Sequence, residues 1–256
     1  MIRLHRKPAN WETRVEATFA DFAEFVREAE RFEKLPLSSA VRRAGFASFA
    51  PLALRRKHGA GKAAFPDVWG TAKAEITKMS NGKCAYCEGG INAVRSGQVE
   101  HFRPKSLFPA QAYRWENYFL ACGGCNGPKS DKWPEKGGYL RPDRVDPSRS
   151  LCFGEDGSVA AVAGRRDAAR TVVDFELDRE GLRRGRRLLI TNALLVLGHC
   201  AELCREGQQE MALRLARPYF ESLRDPKSDY SAAASECFLR GWELECPGVR
   251  LPGRRR

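Results

Sequence analysis

The sequence predicts an α+β fold in which a small central unit lies between mainly α-helical N- and C-terminal segments. Two observations lead to this prediction. Apolar residues recur at three- and four-residue steps towards both ends of the chain, which is typical of amphipathic helices. The middle of the chain instead holds two Cys-x-x-Cys pairs, clustered glycines and few aliphatic residues, so an ordinary hydrophobic core cannot stabilise it alone. The predicted segments are residues 1–80, 81–140 and 141–245, with a basic flexible tail over 246–256.

The N-terminal segment is predicted to be helical. One amphipathic helix is expected from Trp11 to Phe32, ending before the Leu35-Pro36 pair. Its apolar positions are Val15, Phe19, Phe22, Val26 and Phe32. Basic, glycine-bearing residues 55–66 indicate a loop, and a short helix follows from Val68 to Met79.

The C-terminal segment is predicted to begin with a hairpin and to continue as helices. Leu151 to Val162 carries a turn at Gly157 between two short apolar runs, which indicates a β-hairpin. From Asp178 to Leu239, apolar residues at helical spacing predict two or three packed helices. The proline-broken, basic end of the chain predicts the flexible tail.

Composition and charge narrow the classes of function. The formal net charge of +12 favours a polyanionic partner such as nucleic acid, because basic side chains near phosphates release condensed counterions. The longest apolar run, residues 193–198, is too short for a membrane span or a secretory signal, so a cytoplasmic protein with no membrane partner is expected. Nine cysteines in that compartment are expected to be reduced thiols or metal ligands.

The spacing of four cysteines indicates a structural zinc site. Cys84 and Cys87 form one Cys-x-x-Cys pair, and Cys122 and Cys125 form another. Each pair can direct two thiolates at one tetrahedral ion, and a thioredoxin-like redox site would need only one pair within a βαβ pattern. The other cysteines, which lack this pairing, are interpreted as small buried hydrophobic residues, although His199, Cys200 and Cys204 could touch on one helix face. They are Cys152, Cys200, Cys204, Cys237 and Cys246.

Residues between and just after the cysteine pairs are of the types that phosphodiester hydrolysis needs. This reaction requires a base for water, a cation that stabilises charge on the phosphate, and rigid groups that orient both. His101, Glu100 with Asn126, and Asn117 can fill these roles. Glu100 and His101 are adjacent and can serve one site only if the backbone turns there. A structural interpretation also exists for each residue, such as a helix cap at Asn117 or a tight turn at Asn126.

The strings VEHFRPKS and WENYFLACGGCNGPKSDKWP resemble the HNH (His-Asn-His) endonucleases, and within them the subgroup found in the Septu anti-phage system and among retron-associated nucleases. The resemblance is specific over residues 84–135 and fainter at 171–182. It implies a ββα-metal core with structural zinc. It further implies that His101 is the general base, that Glu100 and Asn126 bind a catalytic Mg²⁺ or Mn²⁺, and that Asn117 holds the His101 loop. Lys129 would lie near the scissile phosphate.

Two departures from the family pattern accompany this resemblance. Asn126 replaces the last histidine, a variant the family contains, and Glu100 stands where aspartate is common, which leaves the choice of catalytic metal open. Basic residues around the motif are expected to contact phosphates, against the alternative of a solvated charged face. They are Arg103, Lys105, Arg114, Lys129 and Lys132. Trp115 and Tyr118, three apart on an expected helix, are interpreted as core residues rather than base-stacking ones.

Three functions fit these observations. The favoured one is a nuclease that cuts DNA in phage defence, beside a separately encoded ATPase or sensor that the family resemblance implies. A second keeps the same site and changes the substrate to RNA, such as tRNA, because the residues that grip a phosphodiester do not read a 2′-hydroxyl. A third is a non-catalytic zinc module that binds nucleic acid by charge alone.

Overall fold

A computed structural model describes residues 10–18, 22–50, 65, 67–92 and 96–251 of the chain. Within them the fold is α+β, as predicted, with two small antiparallel sheets among helices. The chain forms two compact units. The first comprises residues 2–85 and 91–143, and the second comprises residues 86–90 and 144–256.

The first unit begins with short helices. Their bounds are α1 Trp11–Thr18, α2 Phe22–Glu33, α3 Ala40–Ala44, α4 Phe46–Phe49 and α5 Lys73–Met79, the last preceded by a 3₁₀ turn at Trp69–Ala72. Helices therefore occupy both ends of the predicted Trp11–Phe32 element, whose residues 19–21 lie outside the described part of the chain. The predicted loop over 55–66 falls, except for Phe65, outside it too.

Aromatic packing gives this unit its core. Phe25, Ala29 and Phe32 of α2 are fully buried because one face of the helix is covered, whereas the predicted apolar positions Phe22 and Val26 are only partly buried. The ring of Phe46 lies 5.6 Å from that of Phe25 and 5.5 Å from that of Phe32. Trp11 joins the same cluster. Burial of large rings such as these dominates the stability of a core.

A two-stranded sheet and a helix follow one another in the middle of this unit. Strand β1 (Gly97–His101) pairs antiparallel with β2 (Tyr118–Cys122), so that Gly97 lies opposite Cys122 and His101 opposite Tyr118. Helix α6 (Gly123–Lys129) begins directly after β2. Pro104 and the residues that follow it form the loop between the strands.

The expectation that Trp115 and Tyr118 share a helix is wrong. Trp115 lies in a 3₁₀ turn that ends at Asn117, and Tyr118 is the first residue of β2, where pairing with His101 fixes an extended backbone. Their predicted burial is nevertheless confirmed, since both pack against the ring of Trp11, at 5.4 and 5.5 Å between centroids.

Arg42 connects the helices to the loop between the strands. Its side chain is buried, and its guanidinium donates to the carbonyl oxygens of Leu107 (2.8 Å), Glu33 (2.9 Å) and Leu35 (2.9 Å). A buried guanidinium is tolerated because its donors are satisfied in this way. The loop therefore has a fixed position relative to α2 and α3.

The second unit contains the predicted hairpin and the predicted helices. Strand β3 (Leu151–Phe153) pairs antiparallel with β4 (Val159–Ala161), which confirms the hairpin. Helices α7 (Arg166–Asp174), α8 (Glu180–Arg205), α9 (Gln209–Leu223) and α10 (Ser231–Glu245) follow. The prediction of packed helices between Asp178 and Leu239 is confirmed as well. Within the predicted tail, Cys246 and Leu251 are buried against these helices, and residues 252–256 lie outside the described part.

Helix α8 is the longest helix described. Length and composition alone would allow it to cross a membrane, although the core helices of globular proteins pass the same test. In this unit its residues Ala193, Leu197 and Cys200 are buried with Phe220 of α9 and Phe238 of α10. The cytoplasmic location stays a prediction.

Gly157 in the β3–β4 turn touches the backbone of α8. It has a φ of +81°, and a Cβ atom there would lie 2.1 Å from the carbonyl oxygen of Arg183. Its own carbonyl accepts a hydrogen bond from the buried Arg186 guanidinium at 2.7 Å. The turn and the helix therefore approach too closely for any side chain.

Replacing Gly157 by alanine is expected to destabilise the protein more than the matched change at Gly164. Both glycines have a φ of +81°, but a Cβ at Gly164 meets nothing within 4 Å. Gly164→Ala should cost only the left-handed backbone penalty, about 1 kcal/mol, and Gly157→Ala about 1–3 kcal/mol more. Urea unfolding of the two variants measures the difference. Equal losses would show that the hairpin does not press against α8.

Candidate metal centre and cleft

The four paired cysteines meet in one buried cluster. The Sγ atoms of Cys84, Cys87, Cys122 and Cys125 all lie within 4.8 Å of one another, and each residue is buried. Ligands at about 2.3 Å from a tetrahedral zinc ion are themselves about 3.8 Å apart, so this cluster can hold zinc. The predicted grouping of the cysteines is confirmed.

Local backbone hydrogen bonds bring the two pairs together. The amide of Ala85 donates to the carbonyl oxygen of Leu120 in β2 at 2.8 Å, and the amide of Cys122 lies 3.4 Å from the Cys84 sulfur. Helix α6 starts at Gly123, so Cys125 is carried back towards Cys122 within its first turn. The strand end and the helix start thus supply the second pair.

A cleft of about 290 Å³ lies in the first unit, beside the end of β1. Its walls come from the end of β1, the loop after it, the 3₁₀ turn before α5, and α6 with the residues after it. The lining residues are Trp69, Val99, Glu100, His101, Pro104, Lys105, Ser106, Asn126, Ser130 and Asp131. Glu100 and His101 therefore border one cleft although they are neighbours in sequence, because β1 ends at His101.

His101 is held in one orientation. Its Nε2 atom lies 3.0 Å from the carbonyl oxygen of Ala112, and edge-to-face rings of Trp69 and Tyr118 flank it at 4.8 and 5.1 Å. A carbonyl oxygen can only accept, so Nε2 carries the proton and Nδ1 keeps its lone pair. Burial, followed by the nearby Lys105 ammonium, lowers the pKa of His101 to about 3. The imidazole is therefore neutral at pH 7.

Glu100 and Lys129 form a buried ion pair. Both side chains are almost completely enclosed, and the Lys129 ammonium contacts the Glu100 carboxylate. Lys129 also donates to the carbonyl oxygen of His101 at 2.9 Å. Burial raises the pKa of Glu100 to about 7, and the ammonium opposes that shift. The Glu100 charge therefore depends on Lys129.

Lys129 is buried, and its expected place near the scissile phosphate stays a prediction. Its side chain is fully buried beneath the cleft and faces Glu100 and the end of β1. Lys129 lies one turn after Cys125 on α6, on the face that the sheet covers. It serves as the counter-ion of Glu100 and does not present its charge to solvent.

Asn117 holds the loop that follows His101. Its Oδ1 accepts from the amide of Arg103 at 2.8 Å, and its Nδ2 donates to the carbonyl oxygens of Arg103 and Gln111, both at 3.0 Å. Its own carbonyl accepts from the Phe102 amide at 2.9 Å. These contacts fix both ends of the loop.

Asn126 and two residues beyond α6 supply oxygen atoms at the cleft. Asn126 is half-buried, and its Nδ2 donates to Gln98 Oε1 at 2.7 Å, so its Oδ1 remains the atom that can face a cation. The Ser130 hydroxyl donates to the exposed Asp131 carboxylate at 2.8 Å. Carboxylate, amide and hydroxyl oxygens are ligand types that Mg²⁺ and Mn²⁺ accept.

The remaining basic residues of the motif are dispersed. Lys105 lines the cleft, with its ammonium 3.8 Å from the centroid of the Trp69 ring. Arg103 is exposed and lies over Trp133 at 5.8 Å. Lys132 is exposed, and Arg114 lines a different hollow beside Trp11. Of the expected phosphate contacts, the structure therefore brings only Lys105 to the cleft wall itself.

Sequence reasoning missed three contributors to the cleft. Trp69 packs against His101 from a segment more than thirty residues earlier, Ala112 provides a backbone carbonyl, and Asp131 adds a carboxylate. Of the three, only Asp131 could have been predicted from the sequence, because it lies close to Asn126 and Lys129. A backbone carbonyl leaves no signature in a single sequence.

The chain is similar to two proteins that are each named Septu protein PtuB. It is 34% identical to the one from Bacillus thuringiensis over 87 residues, which are 33% of this chain and 34% of that protein. It is 28% identical to the one from Bacillus mycoides (strain KBAB4) over 142 residues, 44% of this chain and 48% of that protein. The chain thus matches between a third and a half of the length of these relatives. No protein-family model matches the chain.

Zinc removal is expected to unfold the central part of the chain. Cys125→Ser should lower the bound zinc and the melting temperature together, because the buried thiolates lose the ion that neutralises them. Cys152→Ser, a change at an exposed cysteine, is the control and should alter neither quantity. Elemental analysis and thermal melting with and without a chelator provide the measurements. A zinc-free protein with an unchanged melting temperature would refute the site.

Lys129→Met is expected to destabilise the protein by about 3–5 kcal/mol at pH 8, because it leaves the Glu100 carboxylate buried without a counter-charge. Without the ammonium, burial raises the pKa of Glu100 still further, so the carboxyl group is protonated as the pH falls and the cost is relieved. The loss relative to the wild type should therefore be smaller at pH 5.5 than at pH 8. Urea unfolding at pH 8 and pH 5.5 in metal-free buffer tests both statements.

Two further variants separate the ion pair from general effects of the substitution. Glu100→Gln combined with Lys129→Met should recover most of the loss, since no charge is then buried. Lys132→Met, at an exposed lysine three residues later, should change stability by no more than about 0.5 kcal/mol. A loss in Lys129→Met that is independent of pH and of Glu100 would contradict the pairing.

Proposed function

We propose that the protein is a metal-dependent HNH endonuclease that hydrolyses phosphodiester bonds, with His101 as the general base. The observation that carries the proposal is the environment of His101: a neutral imidazole with Nε2 bound to a carbonyl borders a cleft that also contains Glu100 and Asn126. An imidazole fixed in this tautomer can accept a proton at Nδ1. The order of β1, β2 and α6 is the order that a ββα-metal core requires.

Each residue of the cleft has a role in this proposal. His101 takes a proton from the attacking water at Nδ1, and the Ala112 carbonyl stabilises the imidazolium that results. Asn117 fixes the loop that carries this carbonyl. Lys105, on the cleft wall, offers a positive charge to a phosphate oxygen. Lys129 is assigned a positioning role, through Glu100 and the His101 carbonyl.

The oxygen atoms at the cleft fit a catalytic Mg²⁺ or Mn²⁺. Glu100 and Asn126 would hold the ion, as the family resemblance implies, and Asp131 borders the same space. When bound, such an ion stabilises the charge that develops on the phosphate and on the leaving oxygen. The Lys129 ammonium lowers the pKa of Glu100 against the larger effect of burial, and so favours the ionised form that can act as a ligand.

DNA is the proposed substrate, and phage defence the proposed setting. The formal net charge of +12 favours a nucleic acid. The similarity to two proteins named Septu protein PtuB supports a role in an anti-phage system. A separate ATPase or sensor as partner is proposed from the family resemblance alone. RNA remains the alternative substrate for the same site, because the cleft offers groups for a phosphate rather than for a 2′-hydroxyl.

Cleavage assays test this function directly. Purified protein with Mg²⁺ or Mn²⁺ is expected to cut plasmid DNA, and His101→Ala should reduce the rate at least about 100-fold by removing the base. The matched control is His199→Ala, at an exposed histidine of α8, which should cut at the rate of the wild type. Total RNA, assayed in parallel, identifies the substrate. Melting temperature and zinc content show whether each variant is folded.

Other outcomes select among the alternatives. Equal cutting by His101→Ala would remove His101 as the base. Tight binding of nucleic acid with no cutting of DNA or RNA, even when cell extract supplies a partner, would favour the zinc-binding module that acts by charge alone.

A further inference from the structure

Two cysteines outside the zinc cluster lie in direct contact. Cys204 is near the end of α8 and Cys246 follows the end of α10, and their Sγ atoms are 2.7 Å apart. Non-bonded heavy atoms normally approach to about 3.5–4.0 Å, whereas sulfurs in a disulfide are about 2.0 Å apart. The Sγ–Sγ distance is therefore shorter than that of an ordinary packing contact. Only a small movement of the two side chains is needed for a covalent bond to form.

The surroundings of the two sulfurs differ. Cys204 is half-buried and so accessible to a small oxidant, whereas Cys246 is enclosed with Trp242 and Leu251 in the core of the second unit. Burial raises the pKa of Cys246 to about 12. Because a peroxide has to reach the sulfur, Cys204 is the cysteine of the pair that can react first.

Cys200 lies near the same pair, one turn before Cys204, and Cys246 Sγ is 3.9 Å from its backbone carbonyl oxygen. The Cys200 thiol is buried and interacts electrostatically with those of Cys204 and Cys246, but the three residues do not group their sulfurs as closely as a metal site requires. Among the described residues, the only cluster with the geometry of a metal site is that of the two Cys-x-x-Cys pairs. The pair is thus a candidate for oxidation and not for metal binding.

We propose that Cys204 and Cys246 form a reversible disulfide when the protein meets a peroxide. The Cys204 thiolate attacks one peroxide oxygen, the O–O bond breaks, and Cys204 becomes a sulfenic acid while one water leaves. The Cys246 sulfur then attacks the Cys204 sulfur, the S–O bond breaks, and a second water leaves. Hydrogen peroxide is reduced to two waters, and the two thiols are oxidised to one disulfide. A dithiol reductant reverses the change.

The proposed disulfide would link the segment after Cys246, which covers the helical core, to helix α8. Residues after Cys246 fold back over α10, where the Val249 carbonyl accepts from Trp242 Nε1 at 2.8 Å and Leu251 is buried. A covalent link to Cys204 joins this segment to the end of α8 and encloses α9 and α10 in one loop. Closing such a loop restricts the unfolded chain, so oxidation is expected to stabilise the second unit.

Peptide mapping of the zinc-loaded protein tests the proposal. After hydrogen peroxide treatment and blocking of the remaining thiols, mass spectrometry should find a peptide linked between Cys204 and Cys246 that a reductant separates. The melting temperature should rise by several degrees on oxidation and return on reduction. Cys204→Ser should show neither change, and Cys152→Ser, at an exposed cysteine, should show both.

Three results would overturn the proposal. One is a Cys204 that oxidises to a sulfinic acid without the link, and another is a link that joins Cys152 or two chains instead. The third is a second equivalent of zinc that Cys204→Ser and Cys246→Ser both lose, which would make the pair part of a metal site. The mapping uses the wild-type chain, so a variant that fails to fold leaves the test intact.

Discussion

The pairing of β1 with β2 is the constraint on which both candidate sites depend. It sets Cys122 opposite Gly97 at one end and Tyr118 opposite His101 at the other, so one short ladder fixes a zinc ligand and the proposed base. A Cβ at Gly97 would lie 2.8 Å from Leu120 Cδ1, which explains the glycine there. A one-residue slip in register would reverse the faces of the strand and dismantle both sites at once.

Helix α6 extends this constraint to the cleft. Cys125 and Lys129 are four residues apart and both buried, so the same face of the helix meets the cysteine cluster at one end and Glu100 at the other. Asn126 lies beside that face and borders the cleft. Zinc would therefore hold in place the helix that carries the proposed metal ligand and the counter-ion of Glu100. The proposed structural and catalytic ions would thus be linked through the seven residues of α6.

The sequence predicted those features that follow from spacing, and missed those that depend on tertiary contacts. Two Cys-x-x-Cys pairs reveal a metal cluster because each pair is local, and the apolar period of α2 and α8 reveals helices for the same reason. The burial of Lys129 could not be inferred, since a lysine beside a catalytic motif ordinarily suggests a phosphate contact. Only the fold shows that it faces a carboxylate. Trp69 similarly reaches His101 from a distant segment that carries no recognisable motif.

The orientation and tautomer of the proposed base, His101, depend on a series of hydrogen bonds to the backbone. Ala112 has no functional group in its side chain. Its backbone carbonyl nevertheless accepts hydrogen bonds from His101 Nε2 at 3.0 Å and from the Tyr118 hydroxyl at 2.7 Å. The position of that carbonyl depends on Asn117, which binds the loop from within, and on Arg42, which binds it from the helices. The tautomer of His101 is therefore decided by residues that never meet a substrate. Under the proposed function, the N-terminal helices help to keep the base in its reactive tautomer, which gives those helices a role beyond covering the core.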